Sequence, residues 1–139
     1  MPKGLYTPKL PQKYIGDVSK IRFMSAWELR FFRFCDGNPH IGRWASEEIA
    51  IPYFNPVKHR MANYYPDVYM EVLKPGETVP VKMLIEIKPN KDFQLTKKST
   101  TYDKVMMVVN EAKWQAAKSF CDNHGIIFKV VSETNLFRL

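Results

Sequence analysis

Polar and apolar residues alternate with a period of two on both sides of a turn in the middle of the chain. Tyr64–Met70 and Met83–Pro89 are short, rich in β-branched and aromatic residues, and bounded by proline and glycine, which predicts two strands. Lys74-Pro75-Gly76-Glu77 supplies the turn that joins them into a hairpin. Successive side chains on a strand point to opposite faces. Asp67, Tyr69 and Glu71 therefore share one face and Val68, Met70 and Val72 the other. On the second strand Glu86 and Lys88 lie opposite Met83, Ile85 and Ile87. Turning both apolar sides to one core brings Asp67, Glu86 and Lys88 together on the far side.

Helical periodicity flanks this hairpin. From Ser25 to Cys35, Trp27, Phe31 and Phe34 recur at i, i+4 and i+7 and predict a first helix. Asp36-Gly37-Asn38-Pro39 ends it, with Gly37 expected as a left-handed cap. Ile41–Tyr53 reads as a strand, with Ile49, Ile51 and Tyr53 on one face and Glu47 and Glu48 near its start. Thr101–Val109 is a weaker helical segment because of its β-branched content. Asn110–His124 is the clearest helix, with Asn110 as N-cap, Trp114, Ala117 and Cys121 on one side, and Gly125 ending it. Ile126–Val131 follows as a strand, which a crossover connection would set parallel to an earlier one. The order αβββαβ implies an α/β fold, a mixed sheet with helices on both sides. Residues 1–20, punctuated by Pro2, Pro8 and Pro11 and carrying Lys3, Lys9, Lys13 and Lys20, read as a basic extended arm ahead of a single domain over residues 21–139. The arm is suited to lying along DNA, packing across the domain, or meeting an assembly partner.

Charge changes the picture more than composition does. The chain has 139 residues, enough for one domain with a real core, and is 45% hydrophobic. Its net charge of +7 and pI near 9.4 favour a polyanionic partner. Cys35 and Cys121 are too few for a disulfide framework, and neither they nor His40, His59 and His124 have zinc-site spacing. No apolar run is long enough to span a bilayer and the N-terminus lacks a signal-peptide core, so a soluble intracellular protein with no membrane partner is expected.

Asp67, Glu86 and Lys88 suit metal-assisted phosphodiester cleavage. Mg²⁺ prefers one or two carboxylates, with water and substrate phosphate completing its octahedron, and Mn²⁺ is expected to substitute. Lys88 would orient or deprotonate the attacking water and face the phosphate. The bland alternative is a solvated hairpin face. Against it, Glu86 sits inside the apolar run Leu84-Ile85-Glu86-Ile87, where a carboxylate needs a partner or a metal. Lys58 and Arg60, in a basic loop, and Lys91, Lys97 and Lys98, after the second strand, are candidate contacts to the DNA backbone or simply solvated charge. Ser25-x-x-Glu28 is a capping box, a sufficient structural reason for that glutamate.

Pro66-Asp67, a hairpin and Glu86-Ile87-Lys88 together resemble the motif of the PD-(D/E)XK nucleases. Further segments make the chain similar to the head-completion nucleases of T4-like bacteriophages: Lys13-Tyr14-Ile15-Gly16-Asp17, Ser25-Ala26-Trp27-Glu28, Asn38-Pro39, Trp44-Ala45-Ser46-Glu47, Ile51-Pro52-Tyr53, Glu86-Ile87-Lys88-Pro89, Lys113-Trp114 and Gly125-Ile126. They run in family order over most of the chain. The resemblance implies a restriction-endonuclease-like core and a Mg²⁺-dependent endonuclease acting on double-stranded DNA with low sequence specificity. It implies that Glu28 leans over the sheet into the metal site, that Glu47 falls at the family's Ser-Glu position, and that Lys113 points toward substrate. A cap for Glu28 and an edge-strand charge for Glu47 stay open beside these roles. It also implies head or portal-vertex proteins as partners, and action in the host cytoplasm during assembly, with retention in the virion head open. A junction-resolving nuclease of the same fold and a non-enzymatic head plug are the alternatives.

Overall fold

The structure, a computed structural model, describes residues 3–88, 98–132 and 134–135. Its central sheet is assembled from β3 (Ile41–Ser46), β6 (Val68–Val72), β7 (Val81–Ile87) and β8 (Ile126–Val131), in that spatial order. β6 runs antiparallel to both β3 and β7, and β8 runs parallel to β7, with Lys82 beside Ile126 and Ile87 beside Val131. The mixed sheet expected from the pattern is present, with one helix on each face.

Helix α1 (Ala26–Gly37) begins at the capping box: the Ser25 hydroxyl accepts the Glu28 N–H at 3.1 Å, and Glu28 Oε1 accepts the Met24 N–H at 3.0 Å. Its buried Phe31, Phe32 and Cys35 join Trp44, Val68, Met70, Ile85 and Ile87 in one core. Its C-terminus departs from expectation. Gly37 is the last helical residue rather than a left-handed cap, and Asn38 is extended. The open carbonyls are instead taken by an ammonium, Lys13 Nζ donating to the oxygens of Cys35, Asp36 and Asn38 at 2.7–3.0 Å.

Two predicted strands each divide in two. Ile41–Tyr53 breaks at Glu47, whose φ of 54° belongs to a turn, so β3 ends at Ser46 and β4 (Ile51–Asn55) starts afresh. Tyr64–Met70 breaks at Pro66, which has no N–H for a ladder. Tyr64 closes β5 (Arg60–Tyr64), which pairs with β4 as a separate hairpin, and Val68 opens β6. The two helices predicted after the site are one, α2 (Thr101–His124). Its N-cap is Thr100 in a capping box with Asp103, not Asn110. Packing of Val109, Ala117 and Cys121 against Ile51, Tyr53, Tyr64 and Leu84 overrides the weak propensity of the valines. Gly125 ends α2 at φ 67°, the left-handed turn expected of it.

Residues 3–20 pack across the domain. β1 (Gly4–Leu5) pairs with β2 (Arg22–Phe23), and Tyr6, Tyr14 and Ile21 are buried in the core under α1. Tyr14 meets the Trp44 ring edge-on at 4.8 Å. Asp36, 2% exposed, ties the segment down by accepting from Tyr6 Oη at 2.7 Å and from the N–H groups of Lys9 and Leu10 at 2.7 and 3.0 Å.

Candidate active site

Asp67 immediately precedes β6. Continuing the pairing of Val68 with Ile85 by one step sets Asp67 opposite Glu86. Asp67 Oδ2 accepts the Ile87 N–H at 2.7 Å, which locks the aspartate against β7. Glu86 shares its face with Leu84, and Leu84 is buried beneath α2, so this is the α2 face of the sheet and not a solvated one. The apolar run around Glu86 is thereby explained: β7 is covered on both sides.

Burial and mutual repulsion dominate the electrostatics of the pair. Asp67 is pushed up to about 8, first by burial and then by the Glu86 carboxylate, with the Ile87 N–H pulling the other way. Glu86 is also raised by burial, opposed by its hydrogen bond with Asp67, by Tyr64, and by the charges of Lys113 and Lys88. One proton shared between facing carboxylates follows.

Glu28 and Glu47 stand next to this pair. Glu28 is raised by burial and by the charge of Asp67, against the Met24 N–H that holds it in the cap. Glu47 is raised by burial and by Glu28, with Arg22 opposing. The Glu47 N–H donates to the Asp67 carbonyl at 3.1 Å, so the strained turn is stitched to the site's backbone. Four carboxylates thus feel one another. Among the described residues, however, no three Asp, Glu, His or Cys side chains are close enough to hold a single ion. The residues that could hold an ion are Asp67 and Glu86, two hard oxygen ligands, a set that fits Mg²⁺ if water and phosphate complete its shell.

Two lysines flank Glu86, each set against aromatic rings. Lys88 continues the ladder beyond β7, its N–H donating to the Val131 carbonyl at 2.8 Å, and its Nζ lies 5.6 Å from the centre of the Trp114 ring. Lys113 Nζ lies 5.6 Å from the Tyr64 ring and 5.9 Å from the Tyr53 ring. Lys113, expected to face substrate, is therefore at the carboxylates themselves. Tyr64 is 5% exposed, its hydroxyl makes no well-formed hydrogen bond, and burial with the nearby Glu86 and Asp67 charges raises its pKa. Sequence reasoning assigned Tyr64 to a strand and Trp114 to an apolar helix face. The available signal was the position of Trp114 beside Lys113. Lys58 and Arg60 are exposed at the end of the β4–β5 hairpin, and Lys98 is exposed ahead of α2. Lys91 and Lys97 lie outside the described residues. Cys35 and Cys121 are buried free thiols. Among the described residues no helix is long and apolar enough to cross a membrane.

Residues 38–133 match the family described as TnsA-like endonuclease N terminal. Over 143 aligned positions the chain is also 34% identical to the Head completion nuclease of Enterobacteria phage T4, covering 96% of this chain and 92% of that protein. The chain belongs to this endonuclease family. The family match spans β3 to β8 and so takes in Glu47, Asp67, Glu86, Lys88 and Lys113, while Glu28 and the N-terminal segment fall within the alignment to the phage protein. No solved structure gives a significant match. The mixed α/β sheet that the sequence pattern implies is consistent with the restriction-endonuclease-like core of the family.

Proposed function

We propose that this protein is a Mg²⁺-dependent DNA endonuclease of low sequence specificity that acts in phage head completion after DNA packaging. The observation that carries the reading is the Asp67–Glu86 pair, two facing buried carboxylates whose charges repel, with a lysine just beyond the end of the same strand. Asp67 and Glu86 would hold the ion, with Mn²⁺ able to replace it. When bound, Mg²⁺ would lower the pKa of water and offset charge developing on the phosphate. The chain's own groups do the rest. Lys88, steadied over Trp114, orients the attacking water and faces the scissile phosphate, and Lys113 adds a second positive charge on the other flank of Glu86. Water adds to phosphorus, one P–O ester bond breaks, and the departing oxygen takes a proton. Glu28 and Glu47 complete the acidic rim, and Glu28 reaches the ion only by giving up its cap to Met24.

Low specificity follows from recognition by phosphate contacts at Lys58, Arg60 and Lys98, which carry no base information. The similarity to a head completion nuclease supports a role in head completion, during assembly in the host cytoplasm; head or portal-vertex proteins are the partners this reading adds. Supercoiled plasmid with Mg²⁺ tests the activity. The parent is expected to nick and linearise it while folded Glu86→Ala and Lys88→Ala proteins do not. Equal cutting by those variants would remove the assignment, and a parent that binds heads but never cuts would support a structural plug.

A further inference from the structure

The β4–β5 hairpin has two unlike faces. Ile51, Tyr53 and Tyr64 are buried against α2 and the catalytic centre. The outer face carries Phe54 paired across the strands with Met61 and Pro52 paired with Asn63, and Tyr65 follows just past the end of β5, two residues ahead of Asp67. Phe54 is 53% exposed, Met61 62% and Tyr65 50%, so these apolar and aromatic side chains lie open to solvent, the last of them two residues ahead of Asp67 in sequence. Among the described residues, these three side chains stay exposed.

Charge identifies the occupant. From Ile51 to Pro66 the chain has no acidic residue, and Lys58 and Arg60 stand exposed at the hairpin's far end. Four strand steps of ~3.3 Å place Arg60 ~13 Å from Tyr64, about four nucleotides of DNA along its axis. A basic rim beside exposed rings is the chemistry that takes single-stranded nucleic acid: cations follow the backbone and bases stack on the rings. A paired duplex offers its phosphates to Lys58 and Arg60 but hides its base faces from Phe54.

We propose that the strip formed by Phe54, Met61 and Tyr65 binds unpaired bases, so that the enzyme prefers DNA in which a single-stranded tail leaves a duplex near the scissile phosphate. This inference rests on the nuclease reading above and names its substrate class. The Tyr65 end of the strip hands the strand to Asp67 and Glu86, and the Arg60 end anchors the tail.

The test measures fluorescence anisotropy of labelled DNA in EDTA, using one short blunt duplex and the same duplex with an oligothymidine tail on either strand, and then cleavage of each with Mg²⁺. The parent is expected to bind the tailed DNA about tenfold more tightly than the blunt duplex. The Phe54→Ala/Met61→Ala double variant should lose that difference while binding and cutting the blunt duplex as the parent does. Phe54→Tyr, which keeps a ring, should retain it. Both side chains are exposed, so folding is not at stake. Equal affinity of the parent for both DNAs, or a preference that survives the double variant, overturns the proposal. So does a double variant with unchanged tail preference that no longer joins phage heads, since the strip would then be a protein surface. Failure of the nuclease reading is a separate result, absence of cutting on both DNAs whatever the binding measurement gives.

Discussion

Asp67 and Glu86 face each other one step beyond the Val68–Ile85 pair, and the Asp67 carboxylate is bonded to the N–H of the residue after Glu86. The aspartate is thus held by the strand that carries its partner, which keeps the two carboxyl groups close. Such a pair is costly in a metal-free protein, and its cost depends on pH.

In metal-free protein the stability should fall as pH rises. The folded-state value of Asp67, about 8, lies above the ordinary carboxylate value of roughly 4. The contribution is therefore complete below about pH 4 and is lost as pH climbs through about 8. Thermal unfolding at fixed ionic strength should give a Tm that drops by several degrees between those limits. Saturating Mg²⁺ should raise Tm more at the alkaline end, and Asp67→Asn should flatten the slope and remove the Mg²⁺ effect.

Glu28 has two roles that one pair of variants separates. Ser25→Ala breaks the cap and should cost about 1 kcal/mol without lowering turnover beyond what instability explains. Glu28→Gln keeps a capping side chain and should unfold within about 0.5 kcal/mol of the parent. A tenfold or greater loss of cleavage in Glu28→Gln alone places this acid in the chemistry, and unchanged cleavage leaves it a cap.

Trp114 supports Lys88 through the face of its ring. Trp114→Leu should lower kcat about tenfold, with KM for DNA nearly unchanged, because a steadying contact of ~1–2 kcal/mol acts on the ammonium and not on substrate binding. Single-turnover cleavage reads this directly. A change confined to KM would count against it.

Asp36 anchors the N-terminal segment through three hydrogen bonds, one of them from the buried Tyr6 hydroxyl. Asp36→Ala should destabilise the fold by about 3 kcal/mol and open residues near Lys9 to limited proteolysis. Plasmid cleavage at low temperature should persist, since the site lies at the other end of α1.

The juxtaposition of Asp67, Glu86 and Lys88 was legible in the sequence because alternation along two strands fixes which side chains share a face. What alternation cannot express is interruption. Glu47 turns the chain at positive φ, and Pro66 lacks a donor, so the β4–β5 hairpin was hidden inside two longer apparent strands. With it were hidden the Tyr53 and Tyr64 rings that receive Lys113. The unity of α2 was obscured by its valines, whose low helical propensity is outweighed by packing at Val109 and beyond. The end of α1 was misread for a different reason: Lys13, distant in sequence, takes the carbonyls that a left-handed glycine would otherwise help to satisfy.

The most direct test is diffraction from crystals soaked in Mn²⁺, with data collected at the manganese edge. An anomalous peak within about 2.5 Å of an oxygen of both Asp67 and Glu86 is expected. A peak elsewhere, or none in crystals of protein that cuts DNA in the same buffer, would contradict the account.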